Sequence, residues 1–285
     1  MNQTLSSSSL GFSVPAGACD THVHIYDPKY PLAATATAAA PAASAADYER
    51  MRNRLGLTRC VVVQPSAYGT DNRCTLEGIA ALGRENTRGV VVIDDGATDP
   101  QIEELQRGGA VGARFLMREG GAIPWDQLDT IVSRVANHGW HVQLQMDGLA
   151  FPDRLAQVRR WTTPIVIDHF GTFSEAVGVD HPAFRSLLGF LERGDVWVKL
   201  SAPYIVSSEG PPDYRDVAPL ARALLRTAPE RILWASDWPH PSLKAAPDET
   251  RLLGLLSDWV DDEKSLNHVL VENPARLYGF SRGSD

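Results

Sequence analysis

The segment CDTHVHIYD, Cys19 to Asp27, sets two histidines one residue apart. In an extended strand alternate side chains share a face, so His22 and His24 point the same way. Two imidazoles side by side can ligate a metal, polarise a carbonyl or simply pack. Other segments carry groups that complement them: IVIDH ends in Asp168 and His169, ILWASD ends in Asp237, and VGARFL carries Arg114. A carboxylate among imidazoles is equipment for acid–base chemistry. An arginine, a permanent cation with a fixed fork of donors, suits an anionic substrate.

Such groups need a scaffold that brings distant segments together. Short β-branched runs recur at 18–25, 60–64, 90–94, 111–116, 141–146, 165–169, 196–200 and 232–237. Most are nearly continuous apolar runs, as expected of parallel strands covered on both faces. Helix-compatible segments follow them. Ser44 to Asp47 reads as a capping box for a helix ending at Gly56, and further helices are expected at 124–139, 153–161, 182–193, 214–227, 247–258 and 273–278. Eight strand–helix units in 285 residues predict an α/β fold, a single-domain (β/α)8 TIM-like barrel. Residues 1–16 are expected to be a flexible leader and 17–285 the barrel. The Ala-rich stretch 33–46 reads as an exposed loop after the first strand, part of a lid with no chemistry of its own.

In such barrels the loops after the strands build the active site. The polar residues fall at those ends: His22 and His24 on strand 1, Arg114 on strand 4, Gln143 and Gln145 on strand 5, His169 after strand 6, and Asp237 after strand 8. A strand buried on both faces has little reason to carry them unless they line a cavity. Ser66 and Tyr68 in PSAYGTDN, Tyr204, Arg118 and His240 are further candidates for substrate contact. A helix cap, a solvated loop or a structural partner competes with each of these readings.

Composition narrows the partners. A net charge of −8 argues against nucleic acid or an anionic membrane as partner. No stretch approaches the length of a membrane span. Three unclustered cysteines suggest reduced thiols and a cytoplasmic location. Homo-oligomerisation is left open.

Taken together, DTHVH, VVVQPSAYGTDN, GARF, IDH and ASDWPH resemble motifs of the amidohydrolase superfamily over about residues 18–280. More narrowly they resemble its lactonase branch, typified by 2-pyrone-4,6-dicarboxylate hydrolases. The resemblance implies a barrel that hydrolyses a small lactone. Asp237 would be the base that activates water, with His22, His24 and His169 polarising the carbonyl, and Arg114 and Arg118 binding a substrate carboxylate. The pattern departs where that branch carries arginines: Thr172 stands in DHFGT, and KLSAPYIVSSEG offers only Ser201, Tyr204 and Ser207. A substrate with fewer carboxylates is therefore expected. A binuclear metal centre is disfavoured, because strands 4 and 5 offer Arg114, Gln143 and Gln145 where ligands would be needed. No required cofactor is the favoured reading. The alternative is one zinc on His22, His24 and Asp237, with or without His169, as in a sugar lactonase or a decarboxylase of the same superfamily. A catalytically inactive ligand-binding barrel is the rival from another class.

Overall fold

The eight apolar runs become eight parallel strands whose spatial order is their order in the chain. The computed structural model describes residues 10–37 and 39–281. The strands are β1 Cys19–Val23, β2 Arg59–Val63, β3 Thr87–Val91, β4 Ala110–Leu116, β5 His141–Gln145, β6 Ile165–Ile167, β7 Val196–Leu200 and β8 Ile232–Trp234. One helix follows each of the first seven: α1 Ala45–Leu55, α2 Arg73–Leu82, α3 Asp99–Arg107, α4 Leu128–Asn137, α5 Phe151–Val158, α6 Pro182–Leu191 and α7 Ala218–Thr227. After β8 come α8 Glu249–Gly254, α9 Leu256–Trp259, α10 Glu263–Asn267 and α11 Asn273–Tyr278.

The sheet closes just beyond its last strand. The Asp237 amide donates to the His22 carbonyl at 3.0 Å, and the His24 amide donates to the Trp238 carbonyl at 2.8 Å. This seam joins the end of β8 to the end of β1 and completes the (β/α)8 barrel. Every residue of β1, β2, β5 and β7 is buried, as parallel strands covered on both faces must be. Two apolar layers result: a large one between strands and helices, and a smaller cluster that includes Cys19, Val61, Val63, Val166, Leu233 and Tyr278.

Local signals explain most helix ends. The Ser44–Asp47 capping box forms as expected, and Gly56 closes α1 in the left-handed region at φ 77°. Helices α2 and α3 were not singled out from sequence, although Thr98 and Gln101 make a capping box at the start of α3. The third strand starts at Thr87 rather than residue 90. Its first residues, Thr-Arg-Gly, conceal a strand because Gly89 lends no side chain; Ile79 of α2 fills that space instead.

Two expectations change. Leu10 is buried in the large core, and Phe12 and Val14 pack against it, so residues 10–16 of the expected leader belong to the barrel's packing. Residues 1–9 lie outside the described residues. The Ala-rich stretch is only partly an exposed loop: Ala43 is buried and Ala45 opens α1. Thr37, Ala39 and Pro41 line a cavity at the strand ends.

Candidate active site

The positions that carry chemistry lie at or just past the C-terminal ends of the strands, where the backbone turns sharply. His169, Asp237 and His240 all have positive φ, at 48°, 62° and 63° for His169, His240 and Asp237 respectively. Non-glycine residues adopt that region only when their surroundings hold them there. For Asp237 the hold is visible. Its own amide is tied to β1, and the preceding Ser236 is fixed by Asp20, whose carboxylate accepts from the Ser236 amide at 2.9 Å and hydroxyl at 2.6 Å. Burial pushes the Asp20 carboxyl up to about 6 against these hydrogen bonds.

Three imidazoles surround one oxygen of Asp237. Its Oδ1 lies 3.7 Å from His22 Nε2, 3.7 Å from His24 Nε2 and 3.8 Å from His169 Nε2. Segments spread over the whole chain thus converge on one point, as the sequence required. Burial alone would raise the Asp237 carboxyl; His169, His24 and His22 overcome it and hold the group well below the usual carboxylate range. Asp237 is therefore ionised at neutral pH. Burial drives the His22 and His169 imidazoles down, so both are neutral there. The other Asp237 oxygen, Oδ2, accepts the Tyr204 hydroxyl at 2.8 Å, and that hydroxyl lies 3.1 Å from His240 Nδ1.

The imidazoles are held from behind. His24 Nδ1 lies 2.8 Å from the Val63 carbonyl, which can only accept, so Nδ1 carries the hydrogen and Nε2 its lone pair. His169 Nδ1 lies 2.7 Å from the Ser201 hydroxyl. His22 Nδ1 faces Asp168 Oδ1, Lys199 Nζ and Gln143 Nε2, each at 3.3 Å. Lys199 went unnoticed in the sequence. It is fully buried on β7 and donates to Gln143 Oε1 at 2.7 Å. Burial lowers its ammonium to about 8, with Asp168 opposing. The signal was present in VWVKL: a lysine inside a run covered on both faces must have a partner inside the barrel.

Above this cluster lies a cavity of about 320 Å³ lined by His24, Arg114, Gln145, His169 and Asp237, with Ser66 and Arg118 at its walls. Arg114 donates from Nη1 to the Gln64 carbonyl at 2.9 Å and from Nη2 to Gln145 Oε1 at 2.7 Å. Its buried Nε has no hydrogen-bond partner. The guanidinium is thus braced in place with donors to spare. Arg118 and Glu119 are exposed at the mouth, in a loop that needs Gly121, where a Cβ would overlap the Leu116 carbonyl.

Several expected contacts fall elsewhere. Tyr68 does not line the cavity; its hydroxyl bonds to the Asp27 backbone at 3.0 Å. Gln143 lies beneath, bound to Asp168 at 2.9 Å. Tyr204 binds the far oxygen of Asp237 and His240 Nδ1 lies against the Tyr204 hydroxyl; neither lines the cavity. Thr172, where the resemblance would place an arginine, is buried, and its hydroxyl bonds back to the Asp168 carbonyl.

The donor atoms of His22, His24 and Asp237 lie close enough together to hold a single divalent ion, with His169 beside them. Three nitrogens and one carboxylate oxygen suit zinc. Arg114, Gln143 and Gln145 offer no imidazole or carboxylate at the C-terminal ends of β4 and β5, while His22, Asp168 and His169 form a second close group of donor atoms.

Closed barrel, strand-end histidines and eighth-strand aspartate together define an amidohydrolase-type site, and comparison with known proteins agrees. The amidohydrolase family profile matches residues 19–280. The chain is 36% identical over 282 residues to D-galactarolactone isomerase of Agrobacterium fabrum, covering 97% of this chain and 96% of that protein. It is 34% identical over 280 residues to a 2-pyrone-4,6-dicarboxylate hydrolase of Comamonas testosteroni, covering 94% and 92%. A crystal structure of an Agrobacterium tumefaciens protein without ligand superposes with a TM-score of 0.89 at 36% identity, covering 94% of this chain and 98% of that one. The chain belongs to the amidohydrolase family.

Proposed function

We propose that this protein opens a small lactone bearing a carboxylate, with Asp237 as base and no divalent cation required. The observation that carries this reading is the Asp237 oxygen held 3.7–3.8 Å from three imidazole nitrogens on the floor of a cavity that Arg114 also lines. Arg114, whose guanidinium lines the cavity, takes the substrate carboxylate and thereby fixes the ring. Water attacks the lactone carbonyl carbon as Asp237 removes its proton. With the Ser201 hydroxyl donating to Nδ1, His169 presents an Nε2 hydrogen to the developing oxyanion. The ring C–O bond then breaks, and protonated Asp237 returns its proton to the leaving oxygen, giving a hydroxy acid.

A second reading is favoured by the likeness to a lactone isomerase. The same base can deprotonate a hydroxyl of the substrate in place of water; attack on the carbonyl then moves the ester linkage without consuming water. Turnover of sugar lactones, muconolactones and pyrone carboxylates in 18O-labelled water separates the two. Hydrolysis places one labelled oxygen in the product, and isomerisation places none. Folded protein that turns over none of them overturns the proposal. Activity lost to chelator and restored by zinc overturns its metal-free form.

A further inference from the structure

We infer that Lys199 fixes His22 in the tautomer whose Nε2 carries the hydrogen, and that this buried ammonium completes the histidine centre in place of a divalent cation. The inference deepens the metal-free reading proposed above, but its test needs no substrate.

An ammonium only donates, so Lys199 Nζ, 2.7 Å from Gln143, selects the amide oxygen as acceptor there. The amide nitrogen of Gln143 then faces Asp168 Oδ2 at 2.9 Å and His22 Nδ1 at 3.3 Å. Lys199 Nζ stands 3.3 Å from the same Nδ1 and 3.5 Å from Asp168 Oδ1. His22 Nδ1 is thus met by two groups that can only donate, and one acceptor, Asp168 Oδ1, competes with them.

The other end of the ring decides between them. His22 Nε2 lies 3.2 Å from His24 Nε2. The latter is a bare lone pair, because His24 gives its hydrogen to the Val63 carbonyl. Were His22 protonated on Nδ1, two lone pairs would confront each other across 3.2 Å and require a cation between them. Protonated on Nε2, His22 donates to His24, and the row Lys199, His22, His24, Val63 is satisfied throughout. Charge points the same way. Asp168 meets two cations, Lys199 Nζ at 3.5 Å and Arg114 Nε at 3.9 Å, and Asp237 is the other buried carboxylate beside them, so two cations already offset two carboxylates. A divalent ion held by His22, His24 and Asp237 would leave the buried group with a net positive charge.

The test is the tautomer and the metal affinity. Long-range 15N–1H correlation of the wild-type imidazoles at neutral pH, with His22 assigned by its loss in His22→Gln, is expected to show the hydrogen on Nε2. Purified wild type is expected to hold substoichiometric zinc. In Lys199→Met the way is clear for His22 Nδ1 to donate to Asp168, which exposes Nε2. Zinc affinity, measured by competition with a chelating dye, should rise about tenfold or more, the usual reach of a group behind a ligand. Lys199→Met/Asp168→Leu removes both buried charges and the competing acceptor, and should show no such gain. A wild-type hydrogen on Nδ1, one tightly held zinc per chain, or unchanged affinity in folded Lys199→Met overturns the inference. If Lys199→Met does not fold, the wild-type spectrum and the double variant decide. Failure of the lactone assays with the expected tautomer intact would sink the function and leave this inference standing.

Discussion

The Nδ1 atom of His24 sits 2.8 Å from the carbonyl oxygen of Val63, at the end of the neighbouring strand. That one backbone contact decides which nitrogen faces Asp237 and, in the neutral ring, leaves it without a hydrogen. The site's orientation is therefore set by the strand pairing that builds the barrel, which gives rigid support for a reacting group.

Replacing the proposed base should silence the enzyme without unfolding it. Asp237→Asn keeps the shape and the Tyr204 contact but cannot accept a proton. Turnover is expected to fall about 10²–10⁴-fold, with the melting temperature near that of wild type. Near-normal turnover in a folded variant would remove Asp237 from the chemistry.

On the proposed mechanism Tyr204 acts through Asp237. Its hydroxyl donates to Oδ2 at 2.8 Å and so favours the ionised carboxylate. In Tyr204→Phe the acid limb of the kcat/KM profile should move to higher pH, with kcat falling more than KM rises. A phenol that bound substrate would instead raise KM and leave the limb in place.

Arg114 should discriminate by substrate charge. Arg114→Gln is expected to lower kcat/KM for a carboxylated lactone by about 10- to 100-fold, the worth of a charge-assisted contact. A neutral lactone should lose much less. Equal losses on both substrates would mean the guanidinium braces Gln64 and Gln145 and does not meet the ligand.

Acid should destabilise the fold through a histidine remote from the reaction. His141 is buried, and burial followed by Lys199 pushes its imidazole down from 6.5 to about 3. Between those values the unfolded chain takes up a proton that the folded protein refuses. This contribution is full above pH 6.5 and is lost as pH falls toward 3. His141→Gln should flatten the fall in melting temperature over that window. An unchanged slope would show that other groups govern acid unfolding.

The sequence made the barrel and the convergent histidines readable because both follow from short-range pattern: alternation placed His22 beside His24, and apolar runs ended in Asp168, His169 and Asp237. The supporting layer was harder to read. Lys199, Gln143 and Ser201 matter through what lies behind each ring, and pairings between β5, β7 and the end of β6 are not visible along one chain. Tyr204 and His240 were recognised as polar groups near the site, but their facing could not be inferred. Both follow left-handed turns, at Ala202 and Asp237, which reset side-chain direction in a way that strand alternation does not foresee. Helices α2 and α3 escaped notice because Gly89 and the turn before Arg73 blurred the rhythm.

The two backbone bonds that join His22 to Asp237 and His24 to Trp238 are also the last rungs of the cylinder. The Asp237 carboxylate arrives with the stave that shuts the ring. A chain still lacking that stave, whether freshly emerging from a ribosome or trimmed by a protease, would hold its imidazoles without the acid they surround. With Asp237 as the proposed base, catalytic competence and completed tertiary closure are one event, and turnover can serve as a gauge of how much of a sample has finished folding.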